Sequence, residues 1–194
     1  MQFHKNELYH VYNRGNNRQP VFFNHDNYLY FLDKVRKYIQ PYCDILSYCL
    51  MPNHFHLLIH ANDATMQMKR IGNNDQHILS DGFKHLLGSY AKAINKQNAT
   101  TGSLFQQNTH SKCLREGNAS YGTTCFHYIH QNPLRAGLIT KLEDWDYSSF
   151  KDYIGARNGT LCNKQLAFEL MDLSPKTFYL DSYSVIESED VGHL

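Results

Sequence analysis

Residues 44–60, DILSYCLMPNHFHLLIH, decide the fold. They hold two β-like runs, Asp44–Leu50 and His54–His60, divided by Met51-Pro52-Asn53. A break of that length and composition makes a hairpin of central strands. Successive side chains of a strand point to opposite faces, so Phe55, Leu57 and Ile59 form a wholly apolar face and must bury against helices. His54 and His56 stand on the other face with Cα atoms about 6.5–7 Å apart. Two imidazoles at that separation can converge on one divalent ion. His60 lies too far along the strand to share that ion and receives no role. A His-x-His pair alone is commonly a solvated strand decoration, so a metal reading needs a third feature.

Working outward, Tyr9–Asn13 alternates and reads as a first strand that ends in a basic turn at Arg14-Gly15, with Asn16–Pro20 as loop. Asp26 is placed to cap a helix whose apolar positions Tyr28, Leu29, Phe31, Leu32, Val35, Tyr38 and Ile39 recur at helical spacing up to Pro41. Downstream, Asp63–Ile71 and Asp81–Lys96 read as helices separated by a loop over Gly72–Gln76, and Ser111–Arg115 as a strand. Ser120 opens a helix that runs to Asn132, where Pro133 predicts a stop. Lys164–Met171 reads as one more short helix. Strands interleaved with helices and joined partly by a hairpin predict an α+β fold with an antiparallel sheet and helices packed on one face.

Composition narrows the class. The 194 residues are 42% hydrophobic, 13% aromatic and 19% charged, which excludes disordered and fibrous chains. No apolar run approaches the roughly 18–20 residues of a membrane span, and MQFHKNELYH lacks an apolar signal core, so a cytoplasmic protein is expected. Five cysteines without a C-x-x-C pair argue against a disulfide framework and read as buried thiols. Formal charge is +1, but residues 1–140 carry 14 Lys and Arg against 8 Asp and Glu, while residues 141–194 carry 5 against 10. The basic part holds the motifs, which suits a polyanionic partner. We divide the chain accordingly into a domain, 1–150, and an acidic extension, 151–194, packed on it.

The third feature sits in the helix from Ser120. Tyr128 and Asn132 are four apart, hence on one face, with Gln131 on its flank, while Cys125, Phe126 and Ile129 point elsewhere and can pack inward. Docking this helix on the histidine face would offer an ion two imidazoles and one carboxamide, with a phenol nucleophile beside it.

These stretches resemble a known family. MPNHFHLL (51–58) is similar to the His-hydrophobic-His motif of the single-tyrosine HUH transposases, and YIHQNPLRAGL (128–138) to the tyrosine motif of their branch that includes the REP-associated tyrosine transposases. YHVYNRG (9–15), GSLFQ (102–106) and DWDYSS (144–149) echo the same family, so the resemblance spans about residues 8–150.

The resemblance implies a ferredoxin-like (RRM-like) sheet with the histidines on a central strand. It makes His54, His56 and Asn132 ligands of Mg2+ or Mn2+, and Tyr128 the nucleophile that forms a 5′-phosphotyrosine. The partner it implies is single-stranded or hairpin DNA, without a membrane; both monomers and homodimers that share sites occur in the family. Arg14, Arg18, Lys112 and Arg135, with Lys69 and Arg70, are the expected phosphate contacts. Two rival readings are a rolling-circle-type initiator nuclease, which commonly carries three histidines and further domains, and a non-catalytic RRM-like binder of structured DNA or RNA.

Overall fold

A computed structural model describes residues 1–114 and 120–184, with Ile71 and Ser120 described in their backbone only. The elements are β1 (Leu8–Arg14), α1 (His25–Tyr38), β2 (Asp44–Met51), β3 (His54–His60), β4 (Met68–Ile71), β5 (Asn74–His77), α2 (Ile78–Asn98), β6 (His110–Cys113) and α3 (Ser120–Arg135). Short helices α4 (Phe150–Tyr153), α5 (Lys164–Leu170) and α6 (Phe178–Asp181) follow. β2, β3, β1 and β6 lie side by side in that order, all antiparallel, which is the ferredoxin-like arrangement with β3 and β1 inside. Met51 pairs with His54 across Pro52-Asn53, so the predicted hairpin closes on a two-residue loop.

Strand alternation builds two cores. Tyr9, Val11, Phe55, Leu57 and Ile59 bury against Phe31 and Val35 of α1 and Phe83, Leu86 and Tyr90 of α2. On the other face Cys49, Met51 and Leu58 bury with Cys125, Phe126 and Ile129 of α3 and with Phe150, Tyr153, Ala167 and Phe178 of the C-terminal helices. One face is therefore covered by α1 and α2 as expected, and the opposite face carries helices as well. The apolar stripe on α3 supplies this second layer.

The C-terminal segment also seals a sheet edge. Leu50 N–H donates to Tyr147 O at 2.9 Å, Ser149 N–H donates to Tyr48 O at 3.0 Å, and the Trp145 indole donates to Leu50 O at 3.1 Å. The outer edge of β2 is thus paired rather than open to another chain. Phe178, 2% exposed, lies among Phe126, Tyr153 and Phe168. Phe178→Ala is expected to cost about 3–5 kcal/mol in a denaturant titration. A loss below about 1 kcal/mol would mean that the segment adds little to the core.

Four expectations are corrected. Asp63–Ile71 is no helix: Asn62 caps a single 3-10 turn over Asp63–Met66, and the chain then enters β4. The expected loop at Gly72–Gln76 contains β5, joined to β4 through Gly72 at φ 61°, a left-handed turn position that suits glycine. α1 is capped by Asn24, whose side chain accepts from Asn27 N–H, with Asp26 in its first turn. α3 runs through Pro133 to Arg135. The proline falls in the last turn, where its missing N–H removes one bond only. The helix stops instead at Gly137 (φ 70°), with Gly137 N–H donating to Leu134 O and Leu138 N–H to Pro133 O, both at 3.0 Å. The expected strand residue Arg115 and the capping side chain of Ser120 lie outside what is described. All five cysteines are free. No helix of the described residues is long and apolar enough to cross a membrane.

Candidate functional site

The site begins with the register of the inner strands. β1 and β3 place Arg14 opposite His54 and Tyr12 opposite His56, and β6 places His110 opposite Tyr12 and Lys112 opposite His10. His56 is 6% exposed. Its Nδ1 lies 2.8 Å from His10 Nε2, while its own Nε2 is buried without any hydrogen-bond partner. His54 is half-buried, and its Nδ1 lies 2.5 Å from Asn53 Oδ1. An amide oxygen only accepts, so His54 carries its proton on Nδ1 and presents a lone pair at Nε2. The two rings stand nearly perpendicular with centroids 4.9 Å apart.

α3 brings the phenol. Phe126 and Ile129 anchor one side of the helix in the core, and Gln131 Nε2 donates to Ser182 O and Ser184 O at 2.9 Å each. His130 Nε2 lies 2.7 Å from Ser149 Oγ, and His127 Nδ1 3.2 Å from Ser182 Oγ. With those directions occupied, Tyr128, Asn132 and Arg135 are left on the face toward the histidines. The Tyr128 ring is edge-on to His56 at 6.0 Å and to His10 at 6.4 Å between centroids. Asn132 Nδ2 donates to Tyr128 O at 2.9 Å, and its side chain lies close enough to the His54 ring and the Tyr128 phenol to act on both. The Arg135 guanidinium carbon sits 5.8 Å from the Tyr128 centroid.

The electrostatics keep the imidazoles neutral. Burial, then the nearby Arg14 charge, pushes His54 down to about 4. Burial and the neighbouring His10, His54 and Arg14 hold His56 well below its ordinary value. Burial raises the Tyr128 phenol, while Arg135, Arg14 and the Asn132 hydrogen bond pull the other way.

His127 and His130 are likewise depressed by burial. In all four rings the folded value lies below the ordinary 6.5, so as pH falls through 6.5 the unfolded chain takes up protons that the folded chain refuses. Stability is therefore fully present above about pH 6.5 and declines below it. Asp44, Asp81 and Glu143, also held below their ordinary values of 3.8 to 4.5, add their losses only at lower pH. Melting temperatures across pH 4.5–8 are expected to fall below pH 6.5, and a flat profile would contradict the burial of these rings.

The expected phosphate contacts divide. Arg14 and Arg18 line a cavity of about 620 Å³ with Pro20, Pro52, Asn53, His54 and Leu138, so it opens beside His54. Arg135 adjoins Tyr128. Lys112 Nζ donates to Tyr121 OH at 2.9 Å, on the strand beside His10. Lys69 and Arg70 belong to the β4–β5 hairpin that leads into α2, and Lys69 is paired with Asp81 at 2.5 Å. His60 Nδ1 lies 3.5 Å from Asp44 Oδ2.

Sequence reasoning overlooked His10. Its signal was the alternation of β1, which puts His10, Tyr12 and Arg14 on one face; only the adjacency of β1 and β3 turns that face toward His56. Among the described residues no three His, Cys, Asp or Glu side chains gather as a metal cage.

Comparison with known proteins bears on the fold and the family. A solved structure described as a REP-associated tyrosine transposase bound to a REP hairpin superposes with a TM-score of 0.59, at 16% identity, over 96% of this chain and 97% of its own. At that identity the likeness speaks for the fold. No curated protein sequence matches significantly. The family model described as "Transposase IS200 like" matches residues 4–132, the span that contains β1, both histidines, Tyr128 and Asn132, and the chain belongs to that family of transposases.

Proposed function

We propose that this transposase cuts and rejoins single-stranded DNA beside a hairpin, through a covalent 5′-phosphotyrosine on Tyr128. One observation carries the reading: the Tyr128 phenol ring lies edge-on to an imidazole whose buried Nε2 has no partner. An unsatisfied buried nitrogen is costly unless something binds it. Beside it stand His54, with a lone pair at Nε2, and the Asn132 amide. Two neutral imidazoles and an amide oxygen fit a divalent cation, with positions left for water or phosphate oxygens; imidazoles alone suit zinc, and the choice of Mg2+ or Mn2+ follows the family resemblance. His54, His56 and Asn132 would hold it. When bound, such an ion supplies Lewis-acid polarisation of a non-bridging phosphate oxygen.

The chain's own groups do the rest. Arg14 and Arg18 hold the strand by its phosphates in the cavity next to His54. Arg135 and Arg14 favour the phenolate of Tyr128 against its burial. The Tyr128 oxygen attacks phosphorus, its proton leaves to solvent, and the bond from phosphorus to O3′ breaks to give a free 3′-OH. The phosphodiester energy stays in the phosphotyrosine, so attack by a 3′-OH reverses the step and joins strands without ATP.

The hairpin is proposed from the solved relative, which holds one. The test is incubation with a hairpin oligonucleotide bearing single-stranded flanks, labelled at either end, with Mg2+ or Mn2+. On a denaturing gel the 3′ label is expected in a protein-linked band and the 5′ label on a shorter free strand. Tight binding with no adduct from either label would favour the non-catalytic binder.

A further inference from the structure

We infer that His10 is a positioning residue that fixes the tautomer of His56, so that the Nε2 of His56 faces the site as a lone pair. The inference rests on the proposed reading of His56 as a metal ligand and adds a partner that lies outside both the histidine motif and the tyrosine motif.

The argument is one of proton counting. His10 and His56 are both buried, at 0% and 6% exposure, and their rings are nearly parallel, 18° apart with centroids at 5.0 Å. One hydrogen bond of 2.8 Å joins His10 Nε2 to His56 Nδ1, so one of these two nitrogens carries a proton and the other does not. If His10 donates, the proton of neutral His56 sits on Nε2, and that nitrogen cannot bind a cation. If His56 donates through Nδ1–H, its Nε2 is a lone pair, and the proton of His10 sits on Nδ1. Only the second arrangement gives the partnerless Nε2 a ligand's electronic form. His54 is fixed in the same sense by Asn53, whose Oδ1 accepts from Nδ1–H. Each imidazole therefore has its own acceptor behind it, one an amide oxygen from the hairpin loop and one a ring nitrogen from the neighbouring strand. Acceptors of this kind orient metal-bound histidines and raise their basicity.

The test uses Mn2+ as probe and two variants. In His10→Phe the acceptor is lost and a ring of similar size remains; in His10→Gln an amide oxygen can accept from His56 Nδ1–H. Mn2+ affinity, read by electron paramagnetic resonance, is expected to fall about 10- to 100-fold in His10→Phe and to recover to within about threefold of wild type in His10→Gln. Nitrogen-15 shifts of His56 in the metal-free wild type are expected to report the Nδ1–H tautomer, a reading that does not depend on how well either variant folds. Wild-type His56 protonated on Nε2, or wild-type affinity in folded His10→Phe, would overturn the inference. The outcomes separate the two claims. If His56→Ala loses the ion while His10→Phe keeps it, the ligand reading stands and the role of His10 falls. If His56→Ala binds Mn2+ as wild type does, the ligand reading itself falls.

Discussion

Tyr128→Phe is expected to abolish the covalent adduct and to lower cleavage of a hairpin substrate by about 10,000-fold or more, the scale seen when a sole nucleophile is removed. The change deletes one oxygen from a half-buried ring that stands edge-on to His56 and His10 and keeps that ring in place. The helix is held by Phe126, Ile129 and Gln131 on its other sides, so the fold and the approach of Arg135 should survive. Hairpin affinity is accordingly expected within about twofold of wild type, because charge on phosphates and not the phenol supplies most of it. An adduct that persists in Tyr128→Phe would move the nucleophile to another residue, and peptide mapping of the linked fragment would identify it.

His56→Ala is the second large effect. It removes the most buried of the three proposed donors, and cleavage at limiting Mn2+ is expected to drop about 1,000-fold, beyond the 10- to 100-fold usual for residues that act behind a ligand. The variant should still fold. The ring it deletes carries a buried nitrogen without a partner, but its loss also strips His10 Nε2 of its 2.8 Å bond, so a lower melting temperature in a folded protein is expected. Binding of the hairpin is expected to hold, since the phosphate-binding charges of Arg14 and Arg18, which line the cavity beside His54, are retained. Undiminished cleavage over a range of Mn2+ concentrations would remove His56 from the ligand set.

The parts of this fold that could be read from sequence are those whose period is short and whose partners are near. Strict alternation through Phe55, Leu57 and Ile59 fixed a face, and two residues between Met51 and His54 fixed the hairpin. Tyr128 and Asn132, one helical turn apart, announced a shared face for the same local reason. Where sequence reading failed, a distant group made the choice. The turn that precedes the β4–β5 hairpin carries a good capping residue, Asn62, and an acidic Asp63 that mimic a helix start, yet cross-strand pairs such as Lys69 with Gln76 decide the outcome. Pro133 looked like a stop because the local rule ignores how little helix remains after it. His10 was invisible as a partner because its bond crosses from β1 to β3, and strand order is not written in any local pattern. The helices over the histidine face of the sheet depend likewise on Phe126 meeting Phe150, Tyr153 and Phe178 far along the chain.

The central claim is that His54, His56 and Asn132 hold one cation next to Tyr128. Crystals grown with Mn2+ and measured at the manganese absorption edge test it directly. The account predicts a single strong anomalous peak about 2–2.3 Å from a ring nitrogen of each histidine and from Asn132 Oδ1. A peak elsewhere in the molecule, or none at these three side chains in protein that forms the adduct, would contradict it.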